Sequence, residues 1–310
     1  MIATRLTVVA GLLALALVSV LTGVASLSGD PWLVLVSRLP RTAAAMLAGA
    51  GLAVSGVIMQ MLVRNRFVEP STAGTGQAAG FGLVAVTLLY PAAGIWLKML
   101  AAIATALAGT AGFLALVRRL PPRDPLLVPL TGIVYGGIIG AATTFLAFER
   151  DLIQYISIWM NGEFSGVMLG RYEYLWIAGG LTVLAYLYAD RFTIAGIGED
   201  ASRNLGLNYG QVMAIGLAIV SVVTAVTVVT VGMIPFVGLV VPNIVSRLMG
   251  ENLRRTLPIV AASGAGLVLA CDIIGRLIRF PFEIPVGTVL GVVGAVVFLW
   301  LLHVRPRPTR

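Results

Sequence analysis

Residues 211–231, QVMAIGLAIVSVVTAVTVVTV, decide the fold. The stretch carries no charge, and its length suits one helical crossing of a bilayer, which takes about 20 residues. Comparable runs recur along the whole 310-residue chain, so this is no soluble domain on one anchor. Apolar residues make up 59%, charged residues 11%, and the mean hydropathy is +0.99. A soluble domain is roughly 25% charged. A chain this poor in charge cannot cover a water-facing surface and dissolves in lipid. Helices are favoured over a barrel because the runs are continuous and do not alternate with period two.

Working outward, ten spans fall near 5–27, 42–62, 74–90, 95–117, 126–148, 172–190, 211–231, 236–249, 256–277 and 284–303. The first resembles a signal peptide, but its apolar run exceeds the usual 7–15 residues, so it reads as a retained span. The eighth is short and bounded by Pro235 and Pro242. It is expected to be a partial or broken helix, tolerable only against protein or a water-filled cavity. No separate soluble domain is visible, and residues 1–310 read as a single transmembrane domain.

The formal charge is +8, from 21 basic and 13 acidic residues. With the N-terminus inside, Arg38, Arg41, Lys98, Arg150, Arg171, Arg276 and Arg279 fall outside. The other 14 basic residues fall inside. This bias matches cytoplasmic loops rather than a nucleic-acid surface, and places both termini in the cytoplasm.

Catalytic patterns are missing. The single histidine, His303, argues against His-based metal sites and Ser-His-Asp triads. The single cysteine, Cys271, excludes an internal disulfide and reads as a small buried residue. No Walker A sequence, dinucleotide fingerprint or Cys-x-x-Cys occurs. Uphill transport would therefore draw on an ion gradient or a separate ATPase. Asp272 is the one good candidate for an ion-coupling carboxylate within a span. Arg276 lies one helical turn later, and a neutralised pair near a helix end is the simpler reading.

Three connections are long enough to carry function: 64–80, 148–171 and 190–211. The second mixes charges with Tyr155, Trp159 and Phe164, which suits an amphipathic outer segment at the headgroups. In the third, GEDASRNLGLNYG (198–210) reads as a short helix, a turn, then a span. Glu199 and Asp200 favour a helix N-terminus, Gly206 can stop the helix and Asn208 can cap the next. These residues fit either an ordinary solvated loop or a docking element for a cytoplasmic partner. At the other face, Arg38 and Arg41 flank Leu39-Pro40; they either snorkel to the interface or, since arginines favour bidentate pairing with carboxylates, dock acidic residues of an external protein.

Residues 38–80, RLPRTAAAMLAGAGLAVSGVIMQMLVRNRFVEPSTAGTGQAAG, follow R-x-P-R, then G-x-x-L-a-x-S-G-x-x-M-Q, then R-N-x-h-x-x-P. GEDASRNLG (198–206), GMIPFVGLVVPNIVSR (232–247) and DIIGRLIRFPFEIPVGTVLG (272–291) add three further matches in order. Together they resemble the FecCD family, permeases of ABC importers for iron–siderophores, haem and vitamin B12.

The resemblance implies an all-α, ten-helix permease fold of the vitamin B12 importer (type II) kind, in the bacterial cytoplasmic membrane. It implies a second permease, a copy or a different chain, with two cytoplasmic ATPases and a periplasmic or lipid-anchored binding protein. Arg38, Arg41 and Arg276 would dock the binding protein's glutamates. The ATPase coupling helices would comprise Gly198, Glu199, Asp200, Ala201, Ser202, Arg203, Asn204, Leu205, Gly206, Leu207 and Asn208. A cytoplasmic gate would fall at Ser71, Thr72, Gly74, Thr75, Gly76 and Gln77, although TAGTGQ departs from the vitamin B12 importer's version. The chain would hold no metal or cofactor and perform no covalent chemistry. EPSTAGTGQ looks more like siderophore permeases than haem or vitamin B12 ones. An ion-coupled secondary transporter is the alternative of a different class, and an intramembrane enzyme a more distant one.

Overall fold

A computed structural model describes residues 2–23, 32, 34–121, 126–150 and 152–303. Among these, every regular element is helical. In chain order they are α1 (Ile2–Leu21), α2 (Leu39–Val63), α3 (Thr75–Leu89), α4 (Ile95–Val117), α5 (Leu127–Phe148), α6 (Ile153–Met160), α7 (Leu175–Leu187), α8 (Ala189–Ile197), α9 (Glu199–Asn204), α10 (Tyr209–Val231), α11 (Val237–Met249), α12 (Leu253–Ile278) and α13 (Val286–His303). A π-turn, Val34–Arg38, leads into α2, and a 3-10 turn, Tyr172–Tyr174, leads into α7. Of the inward-assigned arginines, Arg123, Arg305, Arg307 and Arg310 lie outside the described residues, as does the tail of the first span beyond residue 23.

Nine of the ten expected spans each fall on one helix, and the sixth is divided between two. The stretches 34–63, 95–117, 127–148, 209–231 and 253–278 are long and apolar enough to cross a membrane. Shorter apolar helices cover 6–21, 75–89, 237–249 and 286–301. The sixth span is broken: α7 stops at Leu187 and α8 restarts at Ala189 beyond Tyr188. The eighth, α11, is short, 13 residues or about 20 Å, but it is not broken at Pro242: the helix runs through that proline and ends at Gly250. Its first seven residues are buried in protein, which lets so short a helix lie at membrane depth.

The hub is α2, packed against α12, α10, α11 and α7. Helices in lipid gain no hydrophobic drive from meeting one another, so close backbone approach and dispersion hold them. Two glycine contacts provide it. A Cβ on Gly49 would lie 2.4 Å from the Gly264 carbonyl oxygen of α12, and one on Gly56 would lie 1.9 Å from that of Gly238 in α11. No side chain fits at either crossing. On the periphery, α5 exposes Leu130, Ile133, Val134, Ile138 and Phe145, and α13 exposes Val292, Val296, Leu299 and Trp300.

The 148–171 connection departs from the expected surface-lying segment. After α6 the chain turns into the bundle. Glu163 N–H donates to the Val231 carbonyl at 2.7 Å, Met233 N–H to that of Trp159 at 3.3 Å, and Gly287 N–H to that of Gly162 at 3.0 Å. Phe164 and Val167 are buried. The reason is backbone accounting. The C-terminal carbonyls of α10 and the N-terminal amides of α13 lack intrahelical partners, and the returning strand of chain supplies them.

Candidate functional site

Three groups of residues singled out in the sequence lie on this frame. α2 runs from Arg41 at one end of the bundle to Arg64 at the other, and a Cβ on Gly198 would lie 3.1 Å from Arg64 Nη1. The arginine cluster and the 198–208 segment therefore sit at opposite ends.

At the first end, Arg38, Arg41 and Arg276 come together around the C-terminus of α1. Arg38 Nη1 donates to the carbonyls of Val20 (3.0 Å) and Leu21 (3.4 Å). Arg276 Nη1 donates to those of Ser19 (3.1 Å) and Thr22 (2.9 Å). Both satisfy carbonyls that a helix C-terminus leaves open. Arg276 also pairs with Asp272 one turn earlier at 2.8 Å, the neutralised pair expected from the spacing. Arg41 meets Asp272 at 2.8 Å and Glu283 at 2.9 Å. Arg38 and Arg276 are buried, while Arg41 is slightly open and Glu283 more so. The cluster is thus an internal ion network with one exposed edge, not a pair of free surface cations.

At the other end, α9 occupies Glu199–Asn204, where the capped helix was expected. Gly198 (φ +130°) and Gly206 (φ +77°) adopt backbone that side-chain-bearing residues rarely reach, so the helix starts and stops at glycine. Ser202 is buried and its hydroxyl donates to the Gly198 carbonyl at 2.6 Å. Glu199 and Arg203 form an exposed i,i+4 pair. Asn208 Oδ1 accepts the Gln211 N–H at 3.1 Å and so caps α10. Leu205 is 66% exposed at the tip, a large apolar side chain held out by a short, well-anchored elbow.

Between the ends lies the 69–77 segment. The Thr75 and Thr110 hydroxyls are 2.8 Å apart, tying α3 to α4. Gly74 (φ +81°) approaches Gly136 of α5, and Gly76 approaches Met233 in the α10–α11 turn. Gln77 lies beside Gly136, and its Oε1 is buried without a hydrogen-bond partner. The expected gate residues therefore face α4, α5 and the α10–α11 turn.

Sequence reasoning missed Glu69. It is 2% exposed, and its carboxylate accepts the Phe236 N–H at 2.7 Å and the Ser71 hydroxyl. It thereby caps the N-terminus of α11. Glu69 also lines a small cavity of ≈ 20 Å³ with Ser71, Gly76, Thr224, Thr227 and Met233. The available signal was an acidic residue directly before Pro70 in a chain with 13 acidic residues in all. Glu69 lies in a connection, outside the spans where a buried charge stands out by composition.

Among the described residues, no group of three or more His, Cys, Asp or Glu could hold a metal ion. The profile of the FecCD transport family matches residues 4–304. The chain belongs to the FecCD transport family. It is 46% identical over 266 residues to the petrobactin import system permease protein YclN of Bacillus subtilis, covering 86% of this chain and 84% of that one. It is 42% identical to the petrobactin import system permease protein FatD of Bacillus anthracis, covering 96% and 90%. It is 44% identical to the ferric-anguibactin transport system permease protein FatD of Vibrio anguillarum, covering 87% of each. The fold matches a solved metal-chelate type ABC transporter in an inward-facing conformation, with a TM-score of 0.84 over 98% of this chain and 99% of that one at 23% identity. The FecCD chain is therefore a multi-pass membrane transport permease.

Proposed function

We propose that this FecCD chain is the membrane-spanning subunit of an ABC importer that carries an iron–siderophore complex into the cytoplasm. The observation that carries the reading is the 42–46% identity to three permeases named for petrobactin and anguibactin import. The chain provides the conduit, and ATP hydrolysis occurs on two separate cytoplasmic subunits. A second permease, homologous or identical, completes the pathway.

The two ends of the bundle support a division of labour. The arginine cluster faces outward and receives acidic side chains of a substrate-binding protein, with Arg41 at its open edge. The α8–α9 elbow with exposed Leu205 enters a groove of the ATPase. Closure of the ATPases pushes that elbow, and the tightly crossed α2, α11 and α12 transmit the tilt towards the 71–77 segment. Both termini then lie in the cytoplasm, with the chain in the bacterial inner membrane.

The test is uptake of radiolabelled iron–petrobactin into proteoliposomes that hold the complex purified with its partners. Uptake is expected to stop when the partner ATPase loses its catalytic glutamate. Uptake by this chain alone under an ion gradient would favour a secondary transporter instead.

A further inference from the structure

The arginine cluster contains a carboxylate that docking does not use. Arg41 donates Nη2 to Asp272 at 2.8 Å, its Nε faces both Asp272 oxygens at 3.3 Å, and Nη1 donates to the two Glu283 oxygens at 3.0 and 2.9 Å. The Nη1 edge, the one closest to solvent, is therefore already occupied.

The two carboxylates are not equivalent. Asp272 is 3% exposed and is shared between Arg41 and Arg276. Pulling it away would strand two buried guanidinium groups, so it stays. Glu283 is 32% exposed, and among the described residues Arg41 is its sole ion-pair partner. Its loop is held from behind by the Ile284 N–H on the Gly275 carbonyl at 3.0 Å, which fixes the backbone and leaves the side chain able to swing outward. Taken together, Arg38, Arg41, Arg276, Asp272 and Glu283 carry one net positive charge, three positive against two negative.

Resting on the reading that Arg41 receives an acidic side chain of the substrate-binding protein, we propose that Glu283 is a built-in competitor for that place. Docking is then an exchange of carboxylates. The incoming one takes Arg41 Nη1, and Glu283 moves into water. Asp272 holds the guanidinium plane still throughout, so the site keeps its geometry whichever carboxylate sits on it. A competing pair at a half-open surface is weak, so it lowers docking affinity modestly. It also removes one of two net positive charges and slows electrostatically steered association. A receptor that must release its delivery protein each cycle gains from the lowered affinity.

The test measures binding of the substrate-binding protein that co-purifies with the importer to the assembled complex in nanodiscs. Wild type is compared with Glu283→Gln, Glu283→Ala and Arg41→Glu. Both Glu283 variants are expected to bind about two- to fivefold more tightly, with a steeper loss of affinity as salt is raised. The alanine variant guards against a neutral hydrogen bond from glutamine that still blocks Nη1. Affinity unchanged or weakened in both Glu283 variants, with Arg41→Glu abolishing binding, would overturn the exchange and leave the docking assignment standing. Arg41→Glu binding as well as wild type would overturn the docking assignment itself, and the exchange with it.

Discussion

The Glu69 carboxylate accepts the backbone N–H of Phe236 at 2.7 Å, joining two points 167 residues apart. Phe236 is the N-cap of α11 and has φ +68°, a left-handed backbone that a phenylalanine rarely adopts. Helix α11 starts against Gly56, about 10 Å inside the end of α2, where water is scarce. An anion at its N-terminus meets both the open amides and the positive end of the helix dipole. Because Glu69 belongs to the α2–α3 connection, the same bond holds the 69–77 segment against the α10–α11 turn.

Removing that carboxylate should therefore cost more than an exposed cap. Glu69→Ala leaves the Phe236 amide unsatisfied and is expected to destabilise the protein by about 2–3 kcal/mol. Glu69→Gln, which keeps one acceptor oxygen but loses the charge, should cost about half as much. Thermal unfolding of the detergent-purified chain, followed by circular dichroism, measures both. Two midpoints equal to wild type would show that α11 does not depend on this contact.

A larger effect is expected at Asp272. It lies between Arg41 and Arg276, and all three side chains are at least mostly buried. Asp272→Asn keeps the shape and removes the charge, leaving two guanidinium groups without their shared anion. Breaking a buried pair from one side costs about 3–5 kcal/mol. The expected result is a sharp fall in folded yield on size-exclusion chromatography. Restoring one charge balance with Asp272→Asn plus Arg276→Met should recover part of it.

The α2 crossings test packing without charge. Gly56→Ala places a Cβ 1.9 Å from a backbone oxygen that cannot move aside without shifting α11. No folded, monodisperse protein is expected from it. Gly94→Ala, with open space around the added Cβ, should fold as wild type. Equal yields from the two variants would remove Gly56 as a determinant of the α2–α11 crossing.

These contacts also show what a sequence makes legible. The fourth and fifth spans were expected at 95–117 and 126–148, and the helices are Ile95–Val117 and Leu127–Phe148. Such runs are bounded by a solvent change that composition records directly. Pro235 announced where the short eighth helix begins because proline acts on its own backbone, whereas Pro242 did not end it: α11 continues to Met249 and stops at Gly250. Asn208 announced the α10 cap because a capping side chain bonds three residues on. Glu69 could not be found this way, since its partner is set by how α11 packs on α2. Nor could the inward turn of 159–167, which answers unsatisfied groups on α10 and α13. The meeting of Arg41 with Asp272 and Glu283 likewise spans 231 and 242 residues, beyond any local pattern.

The α9 elbow carries the most direct test of coupling. Leu205 is mostly exposed, so Leu205→Asp should leave the fold intact while spoiling an apolar contact with the ATPase. Gly206 has φ +77°, and proline holds φ near −65°. Gly206→Pro should therefore redirect the chain between α9 and α10 without touching the membrane-buried core. Both variants are expected to assemble with the ATPase more weakly, and to lose uptake by about tenfold or more while hydrolysis continues, since a missing docking contact of roughly 1.4 kcal/mol already shifts an equilibrium tenfold. Paired measurements of phosphate release and radiolabelled chelate uptake in the same proteoliposomes separate the two activities. Uptake that tracks hydrolysis at the wild-type ratio in both variants would show that force enters the permease elsewhere. The 198–208 segment would then be an ordinary connection whose glycines serve only to turn the chain.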